Sequence, residues 1–258
     1  MQGNLKQTFA EISQILGLIA KVVLNFFKTL QYLFKSKIFL PNLISYGARF
    51  INSVTLPTIV IAIALGVVIG VQLGPQFVSK GVGSKLGILA LLTMSRELVP
   101  IMGGFMIATQ YGTAITAEIA NMQITEQLDA LKILKINPIY YLVLPAMLAG
   151  LVLAPLVFWL AVILGTYSTF LTVWINEGLV WSSFQSGIMS FFHISDMMIC
   201  LIKACLFTVL IVIISATIGM NVRKGGAREV GTATTSTVIA GFITVIICDL
   251  ICTMVYLE

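Results

Sequence analysis

The stretch Leu56–Leu73 reads LPTIVIAIALGVVIGVQL and contains no charged residue. A helix needs about 20 mainly apolar residues to cross the roughly 30 Å hydrocarbon core of a bilayer. Four more apolar runs of this kind follow along the chain: Leu86–Ala108, Tyr140–Val173, Met197–Met220 and Val238–Leu257. The sequence therefore predicts an all-α integral membrane protein with five transmembrane helices.

The composition agrees with a membrane protein. Of the 258 residues, 59% are hydrophobic and only 10% are charged, which is too little charge to cover the surface of a soluble domain of this size. The net charge is +5, and the basic residues fall mostly between the apolar runs. We therefore interpret them as orientation signals and expect no nucleic-acid partner.

The N-terminal segment has a different pattern. Between Phe9 and Lys35, apolar residues recur at helical spacing, whereas Lys21 and Lys28 lie nearer the other face. A basic amphipathic helix of this kind lies in the plane of the membrane surface, although a sixth span is the alternative. We expect an interfacial segment over residues 1–41, followed by a transmembrane domain over residues 42–258.

The junction between these two parts contains a proline. Pro41 is predicted to end the N-terminal helix, because proline disrupts the interior of a helix. Residues 42–53 are then predicted to form a short connector that carries Arg49.

Orientation follows from the positive-inside rule. If the N-terminal helix is cytoplasmic, the connections 111–138 and 221–237 are also cytoplasmic, and the chain ends outside. These two connections hold the following basic residues: Lys132, Lys135, Arg223, Lys224 and Arg228. Lysine outnumbers arginine and isoleucine is abundant, which is typical of an AT-rich genome, so we expect a multi-pass protein of a bacterial inner membrane or a plastid inner envelope.

Four charged residues lie inside the apolar runs: Arg96, Glu97, Lys203 and Asp249. A charge at the centre of a spanning helix costs about 2.5–3.5 kcal/mol on insertion scales, so each needs compensation. We interpret Arg96 and Glu97 as a polar site in a transport pathway, or alternatively as a contact that holds helices together. Lys203 is expected to pair with Asp249, to bind a lipid headgroup or to extend to the outer surface.

Several kinds of chemistry are not supported. Cys200, Cys205, Cys248 and Cys252 lie in apolar runs without metal-ligand spacing, and His193 is the only histidine. The chain contains no GxxxxGK[ST] motif and no hydrolase signature. We therefore expect no catalytic residue, no metal site and no cofactor, with any ATP bound by a partner subunit.

The connection between the second and third runs is polar. It holds Glu118, Glu126, Gln127 and Asp129, and Thr125 is positioned to cap a short helix. The segment around residues 116–137 is either a solvated helix at the membrane surface or a docking helix for a cytoplasmic partner.

Three motifs resemble the MlaE (YrbE-like) permease family: RELVP at Arg96–Pro100, GTAITAEIANM at residues 112–122, and TEQLDAL at residues 125–131, with Asn137-Pro138 beyond. A fourth, GGAREVGTATT at residues 225–235, resembles the GGA-x-x-VG-x-ATT pattern of the same family. The chain departs from the family at Gln110-Tyr111, where Gly-Arg is common.

This resemblance implies the permease subunit of an ABC transporter that moves phospholipid between membranes. It implies a homodimer, two cytoplasmic ATPase subunits and an MCE-domain lipid-binding protein outside. The implied roles are substrate binding by Arg96, Glu97 and Lys203, and ATPase coupling by the following residues: Glu118, Thr125, Glu126, Gln127 and Asp129. Arg223, Arg228 and Glu229 belong to the other cytoplasmic loop. Two alternatives remain open: an ion-coupled secondary transporter using Glu97 and Asp249, and an intramembrane enzyme.

Overall fold

The computed structural model of the chain describes Gly17, residues 20–22, 24, 25 and 27–29, and residues 40–257. Within these residues, every regular element is a helix. Five helices are long and apolar enough to span a membrane: α1 (Pro41–Ser79), α2 (Ser84–Ile124), α4 (Ile139–Glu177), α6 (Ile194–Met220) and α7 (Ala227–Leu257). Two helices are short: α3 (Gln127–Ile133) and α5 (Trp181–Phe191). The prediction of five spans is confirmed.

The spanning helices alternate in direction. The turn before α3 and the α6–α7 loop lie at one end of the bundle, which we name the Lys224 end, and α5 lies at the other, which we name the Trp181 end. Helix α1 contains 39 residues, or about 58 Å at 1.5 Å per residue, well beyond the roughly 30 Å hydrocarbon core. The helices therefore tilt or continue past the apolar runs that predicted them.

The predicted connector before the first span is wrong. Pro41 lies in the first turn of a helix, Leu40–Phe50, that runs through the π-helical turn Ile51–Thr55 into the span. Proline is well tolerated in the first turn of a helix because the N–H that it lacks has no partner there. Pro41 thus begins the first span, and Arg49 lies on that span.

The predicted interfacial helix, Phe9–Lys35, falls largely outside the described residues. Of its described part, Thr29 is buried, and Asn25 Nδ2 donates a hydrogen bond of 3.0 Å to Thr217 Oγ1 near the end of α6. Lys21 Nζ lies 2.5 Å from Asn221 Oδ1. The described part of this segment therefore contacts the Lys224 end of the bundle, and its position in the membrane plane stays a prediction.

Prolines inside the spans free backbone carbonyls that side chains then satisfy. A proline cannot donate to the carbonyl four residues before it. Pro145 cannot donate to the carbonyl of Tyr141, which accepts a 3.3 Å hydrogen bond from Asn42 Nδ2. Pro100 likewise cannot donate to the carbonyl of Arg96, which accepts a hydrogen bond from Lys203 Nζ. Neighbouring helices supply such donors because no water is present in the hydrocarbon core.

Helices α1 and α4 pack very closely. A Cβ atom added at Gly66 of α1 would lie 2.1 Å from the carbonyl oxygen of Gly165 of α4. Thr169 Oγ1 of α4 donates a 3.0 Å hydrogen bond to the carbonyl of Gly66. Small residues and hydroxyl groups are the usual means of holding spanning helices together, because lipid is as apolar as a leucine side chain.

At the Trp181 end, α5 packs on the beginning of α2. A Cβ atom added at Gly187 would lie 1.7 Å from the carbonyl oxygen of Ser84. Phe184 is fully buried, and the rings of Phe170 and Trp181 meet edge to face at 4.8 Å. The aromatic residues of this connection thus anchor a short helix to the spans and position the start of α6.

Candidate functional site

Arg96 and Glu97 lie on a π-helical turn, Met94–Leu98, in the middle of α2. The turn ends two residues before Pro100, and a similar π-helical turn, Ile139–Val143, ends two residues before Pro145. Such turns are wider than an α-helical turn and often mark functional sites. Both charged side chains line one pocket of about 260 Å³, together with the following residues: Leu92, Thr93, Ile199, Lys203, Thr253 and Tyr256.

Lys203 is buried at the base of this pocket, with 1% of its side chain exposed. Its Nζ atom donates hydrogen bonds to the freed carbonyl of Arg96 at 2.6 Å and to Thr253 Oγ1 at 2.9 Å. The same atom lies 2.8 Å from Asp249 Oδ1 and 3.5 Å from Glu97 Oε1. The predicted pairing with Asp249 is confirmed, and the extension of Lys203 to the outer surface is wrong because four acceptors inside the bundle surround its ammonium group.

The two carboxylates around Lys203 differ in exposure. Asp249 is 7% exposed, whereas Glu97 is 38% exposed and forms part of the pocket wall. Asp249 Oδ1 lies 2.8 Å from the Lys203 ammonium, and the two groups form a buried ion pair. Glu97 Oε1 accepts a 2.9 Å hydrogen bond from Thr253.

Arg96 has a partner that the sequence did not reveal. Its Nε and Nη2 atoms lie 2.9 and 2.5 Å from Asp196 Oδ1, in the first turn of α6. Tyr256 adds a 3.2 Å hydrogen bond from its hydroxyl to the same oxygen, and its ring lies 5.2 Å from the guanidinium carbon of Arg96. The only signal of Asp196 in the sequence is that of an acidic residue beside the start of a helix.

Arg96 both joins helices and faces the pocket. The contact of Arg96 with Asp196 and Tyr256 holds α2, α6 and α7 together, which is the structural role considered for Arg96. Arg96 nevertheless keeps one third of its side chain exposed, and it lies beside Glu97 in the same pocket. Substrate binding by Arg96, Glu97 and Lys203 stays a prediction.

The segment predicted for coupling is divided in two. Helix α2 ends at Ile124, and Thr125 Oγ1 donates back to the carbonyl of Asn121 at 2.8 Å. Thr125 therefore ends α2 and does not cap α3, so that part of the prediction is wrong. Glu126 adopts a left-handed conformation (φ 63°) that reverses the chain before α3.

Exposed charges surround α3. Lys224 Nζ lies 2.7 Å from Glu126 Oε1 and 3.6 Å from Asp129 Oδ2, and Lys132 Nζ lies 2.8 Å from Asp129 Oδ1. Hydrogen bonding to Lys132 lowers the pKa of Asp129, and hydrogen bonding to Glu126 raises the pKa of Lys224. Gln127 is exposed beside them. These groups form one accessible polar surface at the Lys224 end.

Glu118 lies apart from this surface. It is on α2, and its carboxylate forms an ion pair with Arg49 of α1. The guanidinium of Arg49 lies 5.3 Å from the ring centre of Tyr46. Glu118 thus joins two spans, and its predicted role in coupling is untested.

The second predicted cytoplasmic loop is shorter than expected. Arg223 is exposed in the α6–α7 loop, whereas Arg228 and Glu229 lie in the first turn of α7. The sequence placed the start of this span at Val238 because the hydroxyl residues before it look polar. The hydroxyls of Thr232 and Ser236 instead donate to carbonyls of their own helix, which lets them continue it.

No group of three potential metal ligands occurs in the described part of the chain. The four cysteines are free thiols. The pocket side chains interact with one another through ion pairs and hydrogen bonds.

These features define a multi-pass membrane protein with a charged pocket within its spans. Residues 44–255 match the profile of the family described as Permease MlaE, and the chain belongs to this family. The chain is 33% identical over 192 residues to a probable ABC transporter permease of Synechocystis sp., covering 71% of this chain and 69% of that one. It is 32% identical over 194 residues to one of Pyropia yezoensis, covering 75% and 73%.

A probable ABC transporter permease of Rickettsia felis is 31% identical over 218 residues, covering 84% of each chain. The resemblance indicated by the sequence motifs is thereby confirmed. The family consists of ABC transporter permeases, so this chain is a permease of that class.

Proposed function

We propose that this permease moves phospholipid between membranes, with energy from a separate cytoplasmic ATPase. The observation that carries the proposal is the pocket that contains Arg96, Glu97 and Lys203 between the apolar helices α2, α6 and α7. A phospholipid needs apolar walls for its tails and charged groups for its headgroup. Arginine is well suited to phosphate because two of its N–H groups can bind two oxygens at once.

The remaining partners follow from the same proposal. The pocket is open at Arg96 and Glu97, and we propose that a second copy of the chain covers it in a homodimer. An MCE-domain protein would meet the Trp181 end, outside a bacterial inner membrane or a plastid inner envelope. Membership of an ABC permease family favours this function over an ion-coupled transporter or an intramembrane enzyme.

The ATPase is proposed to dock on α3 and the turn before it. Glu126, Gln127 and Asp129 are accessible there, at the end of the bundle rich in basic residues. The chain contains no P-loop motif, which supports a separate ATPase subunit as the source of energy.

Lipid binding can be tested with Arg96→Ala. We expect the phospholipid that co-purifies per folded protein, and transport, to fall in this variant. Wild-type lipid content with intact transport would refute the headgroup role. Arg96 also contacts Asp196, so the alanine variant removes a structural contact as well. Arg96→Lys keeps the positive charge but cannot form the paired hydrogen bonds of a guanidinium group. It should therefore recover stability more fully than lipid binding.

Coupling can be tested with Glu126→Lys. This variant should reduce ATPase association and lipid-stimulated hydrolysis while leaving the permease folded, because a charge at the rim of an interface is reversed. Glu177→Lys, at the Trp181 end, is the matched control. An unchanged yield of the complex would count against docking at this turn, and ATP hydrolysis by the pure chain alone would overturn the ABC assignment.

A further inference from the structure

We infer that the pocket selects a zwitterionic headgroup, one that carries both a phosphate-type anion and an ammonium group, over a headgroup that is only anionic. The inference rests on the proposed function, because it concerns the headgroup of the proposed lipid. It comes from the charges of five residues, which we name the pocket cluster: Arg96, Glu97, Asp196, Lys203 and Asp249.

With all five groups ionised, the pocket cluster carries one net negative charge. Its three carboxylates face two cations, because Arg96 is paired with Asp196 while Lys203 is shared between Asp249 and Glu97. In a membrane span, an uncompensated charge is costly, whether the solvent is lipid or the protein interior. A cationic group is therefore the ligand that this cluster lacks.

One buried oxygen atom supports the same conclusion. Asp196 Oδ2 accepts no hydrogen bond from the described residues, although its side chain is only 2% exposed. Buried carboxylate oxygens normally have hydrogen-bond donors. The cluster thus contains a buried acceptor that lacks a donor.

The free positions on Arg96 and Glu97 fit a zwitterion. Arg96 uses Nε and Nη2 for Asp196, which leaves Nη1 without a hydrogen bond among the described residues. Glu97 uses Oε1 for Thr253 and Lys203, which leaves Oε2. Because these neighbouring residues share a π-helical turn and one pocket, a headgroup with opposite charges a few bonds apart can reach both.

A purely anionic headgroup fits less well. Its phosphate can bind Arg96, but it adds a second negative charge beside Glu97 and supplies no cation. The ammonium of a zwitterionic headgroup instead neutralises Glu97, which releases Lys203 to serve Asp249.

The test uses the purified full-length chain, offered equal amounts of phosphatidylethanolamine and phosphatidylglycerol with identical acyl chains. The lipid retained is measured by native mass spectrometry. We expect wild type to retain phosphatidylethanolamine over phosphatidylglycerol by about tenfold. Glu97→Gln should abolish this preference while total bound lipid persists, and Glu177→Gln, a carboxylate variant outside the pocket, should keep it.

The outcomes separate the two proposals. Lipid binding without a preference in wild type, or a preference that survives Glu97→Gln, would overturn the headgroup inference and leave the transport proposal standing. Either of these two results would mean that a bound proton neutralises the pocket cluster. Absence of both lipids from wild type would overturn the transport proposal itself.

Discussion

Two charge clusters lie at different depths of this protein. Both contain ion pairs between a lysine and a carboxylate, and the lengths of these pairs are nearly the same. In the pocket cluster, Lys203 Nζ lies 2.8 Å from Asp249. In the surface cluster, which consists of Glu126, Asp129, Lys132 and Lys224, Lys224 Nζ lies 2.7 Å from Glu126. The side chain of Lys203 is 1% exposed, whereas that of Lys224 is 52% exposed.

The difference in burial changes what the pairs do. An exposed pair competes with water and salt, so it contributes little to stability and its groups remain available to a partner. A buried pair cannot replace a lost partner with water, so removal of either partner leaves a charge stranded. The distance between two charged atoms therefore does not reveal their role, and the surroundings decide it.

Lys203→Met gives the largest expected effect. The variant leaves Asp249 and Glu97 without their cation and should lower the free energy of unfolding by about 3–5 kcal/mol. Unfolding in detergent measures it, with Lys224→Met as the exposed control, for which we expect no detectable change. Equal effects of the two variants would show that burial does not separate the clusters. The double variant Lys203→Met, Asp249→Asn should recover part of the loss.

Asp196→Asn tests the second ion pair of the pocket cluster. The amide keeps the shape of the carboxylate but removes the charge that faces Arg96, so we expect a loss of about 2 kcal/mol. The loss is smaller than for Lys203 because water reaches one third of the Arg96 side chain. Ser195→Ala, at the neighbouring exposed residue, is the control, and a loss as large as that of Lys203→Met would contradict this ranking.

Arg49 and Glu118 provide an intermediate case. Their side chains are 36% and 31% exposed, so their pairing is only partly shielded from water. A double-mutant cycle with Arg49→Met and Glu118→Gln should give a coupling energy of about 0.5–1 kcal/mol. A value close to that of the Lys203–Asp249 pair would show that this contact is effectively buried by the surrounding membrane.

The smallest effect concerns Asp129 in the surface cluster. Its pKa is lowered from 3.8 by hydrogen bonding to Lys132. Its ion pair is therefore complete above the ordinary carboxyl pKa and is lost as the pH falls through the lowered value. In Lys132→Met, the pKa of Asp129 should rise, as measured by carboxyl carbon NMR, whereas Lys135→Met should leave it unchanged. An unaltered pKa in Lys132→Met would exclude the pairing.

Part of the site was accessible to sequence reasoning. The charges of Arg96, Glu97, Lys203 and Asp249 stood out because each lies in an otherwise apolar run. Asp196 did not stand out because it lies at the end of a run, where a carboxylate is common. Pro100 carried a further signal: four residues after Arg96, it frees the carbonyl that binds Lys203. The capping role predicted for Thr125 was wrong. A threonine before a short helix resembles an N-cap, whereas this hydroxyl donates to the carbonyl of Asn121 in the preceding helix.

The sequence by itself determined the five spans and the family. Apolar runs need no tertiary contact to be excluded from water, and the helix satisfies its own backbone in lipid. Only the tertiary structure decided which charges meet, because Arg96 and Asp196 are 100 residues apart in the chain. It also decided their exposure, which depends on how closely neighbouring helices pack around each side chain. For a charged residue in a membrane, partner and exposure together set the electrostatic energy, and neither can be read from its position in the chain.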